Sequence, residues 1–127
     1  MNVLQKTMVY LFLKRDLAIK LSFYSFNKNF RIIFKMKALT SKEVNIKIAE
    51  VDSWKVISGS LQKEFEFVNF VKAIEFINQI AEVAEEQEHH PVITNSYNYL
   101  KIELKTHDVN GISNKDFKLA KTIDNLS

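Results

Sequence analysis

From residue 69 to residue 91 the chain carries the pattern that most limits its fold. Val71, Ile74, Ile77, Ile80, Ala81 and Ala84 recur at three- and four-residue spacing after a capping Asn69, which predicts one long helix with an apolar side. Pro91, the sole proline, has no N–H to continue such a ladder and disfavours helical backbone at His90, so the helix is expected to end near His89. Stretches of period two flank it. Trp54-Lys55-Val56-Ile57 and residues 61–68 read as a hairpin about Ser58-Gly59-Ser60, and residues 99–105 alternate with Leu100, Ile102 and Leu104 on one face and Tyr99, Lys101, Glu103 and Lys105 on the other.

Two shorter helices complete the outline. Thr40-Ser41-Lys42-Glu43 has capping-box spacing and opens a helix to about residue 50, with Val44, Ile46 or Ile48, and Ala49 available to a core. Ser113-Asn114-Lys115-Asp116 caps a last helix, in which Phe117, Leu119, Ala120 and Ile123 turn inward after an Asn110-Gly111 turn. An extra short strand is expected at residues 92–96. The order favours an α+β fold: a small antiparallel sheet of about four strands with helices packed on one face.

Composition narrows function by exclusion. Without cysteine there are no disulfides, thiol nucleophiles or thiolate-bound zinc, and two glycines are too few for a Gly-rich phosphate loop. The formal charge of +3 is unevenly spread. Residues 1–35 hold seven Lys/Arg against Asp16 alone, a net +6, whereas residues 36–127 hold eleven against fourteen acids, a net −3. A mildly acidic domain argues against nucleic acid as partner. The basic segment 1–35 contains no run long enough to span a membrane. It reads as an organellar transit peptide, as translated upstream sequence with Met36 the true start, or as a structural extension; the domain proper is residues 36–127. A cytoplasmic location is expected, with organellar targeting if the segment is genuine.

All three histidines lie in two short segments, Glu88-His89-His90-Pro91 and Thr106-His107-Asp108. The first pair falls at a helix C-terminus, with Glu85 one turn before His89, a setting suited to general acid chemistry. His107 falls at a strand end, where site residues gather. Each histidine alone is more often an ordinary surface residue, and the glutamates at 82, 85, 86 and 88 read as a solvated face. Zinc or iron ligation is a weaker alternative, since adjacent histidines point apart in extended chain and there is no His-x-x-x-His spacing.

Taken together, residues 39–124 resemble the pterin-4a-carbinolamine dehydratase family. The resemblance rests on Trp54, Phe65-Glu66-Phe67, Ala73, Phe76, Glu85-x-x-x-His89-His90-Pro91, Asn95-x-Tyr97-Asn98, Thr106-His107-Asp108, Gly111 and Asp116-x-x-Leu119-Ala120 with Ile123. It implies a hydro-lyase that converts 4a-hydroxytetrahydropterin to quinonoid dihydropterin, recycling tetrahydrobiopterin for an aromatic amino acid hydroxylase without metal or organic cofactor. It further implies that His89, His90 and His107 handle protons and that Pro91 lines the pterin site. Thr106, Asp108 and Val109 would share the opposite wall with His107, while Glu85 and Asp116 would orient imidazoles or bind ring nitrogens. Self-association as a homodimer or homotetramer is also implied. Val92 and Ile93 depart from the acidic and aromatic residues that often follow the proline, and Lys115 replaces a frequent arginine. The competing reading is a non-catalytic interaction module, because animal members serve as dimerisation cofactors of a homeodomain transcription factor.

Overall fold

A computed structural model describes residues 36–127; the basic segment 1–35, read above as targeting or upstream sequence, lies outside the described residues. Helix α1 (Ser41–Lys47) starts where the sequence places it. The Thr40 hydroxyl accepts from the Glu43 backbone N–H at 3.3 Å, and the Glu43 carboxylate accepts from the Thr40 N–H at 2.7 Å. The last turn tightens into a 3-10 helix, Ile48–Glu50.

Strands β1 (Lys55–Ile57) and β2 (Ser60–Glu66) pair about Ser58-Gly59, with both turn residues at positive φ, 50° and 77°. That is the backbone of a type I′ turn, whose twist matches the flanking strands and for which Gly59 is suited. Helix α2 (Phe70–Glu86) follows, then β3 (Val92–Ser96), β4 (Tyr99–Leu104), a 3-10 turn (His107–Val109) and helix α3 (Asn114–Leu126). The sheet is antiparallel throughout with strand order β1-β2-β4-β3.

Strand parity fixes which face is covered. Leu61 pairs with Leu104, Lys63 with Ile102 and Phe65 with Leu100. Leu61, Leu100, Ile102 and Leu104 are fully buried and cluster with Val44 of α1, Phe76, Ile80 and Ala84 of α2, and Phe117, Leu119, Ala120 and Ile123 of α3. Each fully buried Leu or Ile stabilises the fold by roughly 1.5–3 kcal/mol. The helices therefore share one face of the sheet, and the chain has the expected α+β architecture. Gln62, Lys101, Glu103 and Val92 must then project from the other face.

Lys63 is an exception to the apolar pattern of the covered face. Its ammonium meets Asp124 Oδ1 of α3 at 2.8 Å, and that oxygen also accepts from Trp54 Nε1 at 2.8 Å. A buried cation is tolerated here because it is paired and hydrogen-bonded.

Two expectations about α2 need correction. Val71 and Ala81 are exposed, and the buried stripe is Ala73, Phe76, Ile80 and Ala84. The helix is turned toward Phe65 and Phe67, whose rings lie 5.1 and 5.2 Å from that of Phe76. The second difference is at its end. The helix stops at Glu86, short of His89, because Glu88 adopts left-handed backbone at φ 49°. Its N–H reaches Glu85 O at 3.1 Å, and the His89 N–H reaches Ala84 O at 3.0 Å. Together these are the paired bonds of a Schellman motif. Pro91 thus lies beyond the termination rather than causing it.

Candidate active site

The Schellman turn sends two adjacent side chains in opposite directions. His89 is buried, and its Nε2 lies 2.6 Å from Oδ1 of Asp116, a residue with no exposed surface. The other Asp116 oxygen accepts from the Thr106 hydroxyl and from the Ser113 backbone N–H, each at 2.8 Å. Since the Thr106 proton is committed to Asp116, the Ser113 hydroxyl, 2.7 Å away, donates to Thr106. The motif that caps α3 therefore also holds the end of α2 and the end of β4. Every polar atom of that carboxylate is satisfied, the condition under which a buried acid is tolerable.

His90 faces the other way. Its Nε2 lies 2.5 Å from Glu85 Oε1, with side chains 65% and 76% exposed. His107 is exposed as well. After β4, Thr106 pairs with Gly111 through two backbone bonds, and Asn110 turns the chain in left-handed conformation at φ 47°, so that residues 107–110 bulge outward while Thr106 stays inside. A Cβ on Gly111 would come within 3.2 Å of the Ala38 Cβ, so this return strand passes close to the chain preceding α1.

His90 and His107 line one cavity of about 200 Å³ on the uncovered face of the sheet. Its floor follows from the register: Gln62, Glu103 and Val92 form a row across β2, β4 and β3. Ser58, Ser60 and Lys105 complete the lining with the two histidines. Glu103 is fixed in place, with Oε1 accepting from Gln62 Nε2 and Oε2 from Lys101 Nζ, both at 2.9 Å. That hydrogen bond and charge hold the Lys101 ammonium above its usual pKa.

Of the residues singled out in the sequence, the structure brings His90 and His107 to the cavity and pairs Glu85 with His90 beside it. His89, Asp116 and Thr106 form the buried network behind them. Pro91 is half-buried between His90 and β3, while Asp108 is exposed and Val109 half-buried in the turn after His107. Neither Pro91, Asp108 nor Val109 is among the residues that line the cavity. Sequence reasoning placed Glu103 and Lys105 on the polar face of their strand but assigned them no part in a site, and it passed over Gln62. Among the described residues no group of three or more His, Asp or Glu is placed to hold a metal ion. No described helix is long and apolar enough to cross a membrane.

The chain is similar in sequence and fold to known proteins. A family model described as Pterin 4 alpha carbinolamine dehydratase matches residues 37–126. A relative from Picosynechococcus sp., named "Putative pterin-4-alpha-carbinolamine dehydratase", is 41% identical over 88 residues, covering 69% of this chain and 96% of the relative. The crystal structure of a transcriptional coactivator/pterin dehydratase from Brucella melitensis superposes with a TM-score of 0.68 at 32% identity, covering 71% of this chain and 98% of that one. A pterin dehydratase-like protein identified as a RuBisCO assembly factor in the alpha-carboxysome shares the fold, with a TM-score of 0.52 at 24% identity over 59% of this chain and 89% of that one.

Proposed function

Because the chain belongs to the pterin-4a-carbinolamine dehydratase family, we propose that it eliminates water from 4a-hydroxytetrahydropterin to give quinonoid dihydropterin. The observation that carries this reading is the convergence of His90 and His107 on one cavity from two separate segments of chain. The reaction breaks the C4a–O bond and removes a proton from the neighbouring ring nitrogen. One proton must reach the departing hydroxyl and one must leave the ring, so substrate and water balance without any redox partner. Two imidazoles, one donating and one accepting, supply both transfers, a contribution of about 10²–10⁴-fold when well positioned.

In this reading His90 and His107 handle the protons. Glu85 holds His90 through Nε2, leaving Nδ1 as the nitrogen to meet the substrate. His89, which sequence reasoning grouped with them, acts at one remove: with Asp116, Thr106 and Ser113 it fixes the two chain segments that present the working histidines. No metal or organic cofactor enters the scheme. We further propose that the product returns to an aromatic amino acid hydroxylase and that the protein self-associates. Static light scattering at micromolar concentration checks the latter, and a monomer would contradict it.

Stopped-flow absorbance on 4a-hydroxytetrahydropterin tests the activity directly. Decay well above the buffer rate is expected, and parity with buffer would refute the reading. A protein-interaction role is the second reading, favoured by the exposed Val68, Phe70 and Val71 where α2 begins. It predicts a partner that is retained when both His90 and His107 are replaced by alanine.

A further inference from the structure

Glu103 stands at the centre of the cavity floor and has no part in the proton transfers described above. Among the described lining residues it is the one carboxylate. A glutamate on an open sheet face ordinarily samples several rotamers, but this one is anchored at both oxygens, by Gln62 from β2 and by Lys101 from its own strand. Gln62 is itself fixed, since its Nε2 also donates to Ser60 Oγ at 3.0 Å. A carboxylate offers about four lone-pair directions, so two remain after these bonds. The arrangement presents a pair of acceptors side by side, on a floor that His90 and His107 border.

Two adjacent acceptors complement a flat ring edge that carries two adjacent N–H donors. The pyrimidine half of a pterin has such an edge, its N3–H beside the 2-amino group, remote from C4a where the elimination occurs. We propose that Glu103 selects the substrate by accepting from N3–H and the 2-amino group, with Gln62 and Lys101 as its positioning residues. The inference rests on the pterin reading of the same cavity. It assigns recognition to the floor and chemistry to the rim: Glu103 sets which ring binds, and the histidines set what happens to it. Such contacts are present in both ground and transition state, so their loss raises KM more than it lowers kcat.

The test uses pterin and lumazine, flat rings that differ in a 2-amino against a 2-oxo group, with binding followed by ligand fluorescence. Wild-type protein is expected to bind pterin about tenfold to a hundredfold more tightly than lumazine, the range for hydrogen bonds to a charged acceptor. Glu103→Gln, isosteric and on an uncovered face, is expected to retain the wild-type melting temperature and lose most of that preference. The same variant should raise KM for 4a-hydroxytetrahydropterin at least tenfold while kcat changes less than threefold. If the wild type binds pterin but does not distinguish it from lumazine, or if Glu103→Gln leaves the preference intact, the role of Glu103 is overturned and the pterin reading stands. A fall in kcat at unchanged KM would also overturn it, by moving Glu103 into the chemistry. If the wild type neither binds pterin nor dehydrates the carbinolamine, the pterin reading fails and takes this inference with it.

Discussion

Two histidines, adjacent in sequence, each meet a carboxylate at nearly the same distance, yet the two pairs have opposite surroundings. His89 and Asp116 lie 2.6 Å apart with almost no solvent contact, whereas His90 and Glu85 lie 2.5 Å apart with most of both side chains in water. Water screens the second pair and can replace either partner, so its net contribution to stability is small. The first pair has no such substitute: removing one partner strands the other in a medium that cannot solvate it. The same chemical pair thus serves the fold in one place and leaves an imidazole available to a ligand in the other.

The largest effect should come from breaking the buried pair. Asp116→Ala removes the acceptor of His89, Thr106 and the Ser113 N–H together, and a loss of about 3–5 kcal/mol is expected in urea unfolding. A loss under 1 kcal/mol would show that the network is dispensable. Next is the residue that immediately precedes the two histidines. Glu88 is exposed and holds left-handed backbone, so Glu88→Gly should stabilise the protein by about 1 kcal/mol, read as a raised melting temperature. Unchanged or reduced stability would mean that the Schellman turn is not strained. Glu85→Gln should alter stability by no more than about 0.5 kcal/mol in the same urea titration, the signature of an exposed pair.

The contrast between buried and exposed extends to the two capping boxes. Ser113 and Asp116 form theirs inside the core, while Thr40 and Glu43 form theirs in solvent. The Thr40 backbone N–H, then its hydroxyl, hold the Glu43 carboxyl below its ordinary value of 4.5. A carboxylate with a lowered folded-state pKa stabilises the fold fully above its unfolded value and loses that contribution as pH falls through the lowered one. The urea midpoints of wild type and Glu43→Gln should therefore differ slightly at pH 6 and converge toward pH 3. A gap that persists at pH 3 would contradict the role of the charge.

Much of this contrast was legible in the sequence, and the illegible parts have physical reasons. Capping residues Thr40, Asn69 and Ser113 announced all three helix starts, because a side chain that satisfies the first free N–H groups must occupy a fixed position. The end of α2 was misplaced because left-handed backbone at C′ usually calls for glycine, and Glu88 gives no such notice. The inward stripe of α2 lies about a quarter of a turn from the one its apolar spacing suggests, sharing Ile80 and Ala84 with it. Val71 and Ala81 keep helical spacing as well as Ala73 and Phe76 do, and only the position of Phe65 and Phe67 decides between the stripes. Period-two alternation put Glu103 on the polar face of β4. That this face forms a cavity floor depends on the register that sets Gln62 and Val92 on either side, and no local pattern encodes it.

The proposed division of labour between His89 and His90 is tested by one matched measurement: stability and single-turnover dehydration rate for His89→Ala and His90→Ala side by side. His90→Ala should keep the wild-type unfolding midpoint and lose about a hundredfold or more in rate, while His89→Ala should lose several kcal/mol of stability and keep its rate per folded molecule within about tenfold. A stable His89→Ala protein without activity, or a His90→Ala protein that turns over at the wild-type rate, would contradict that division.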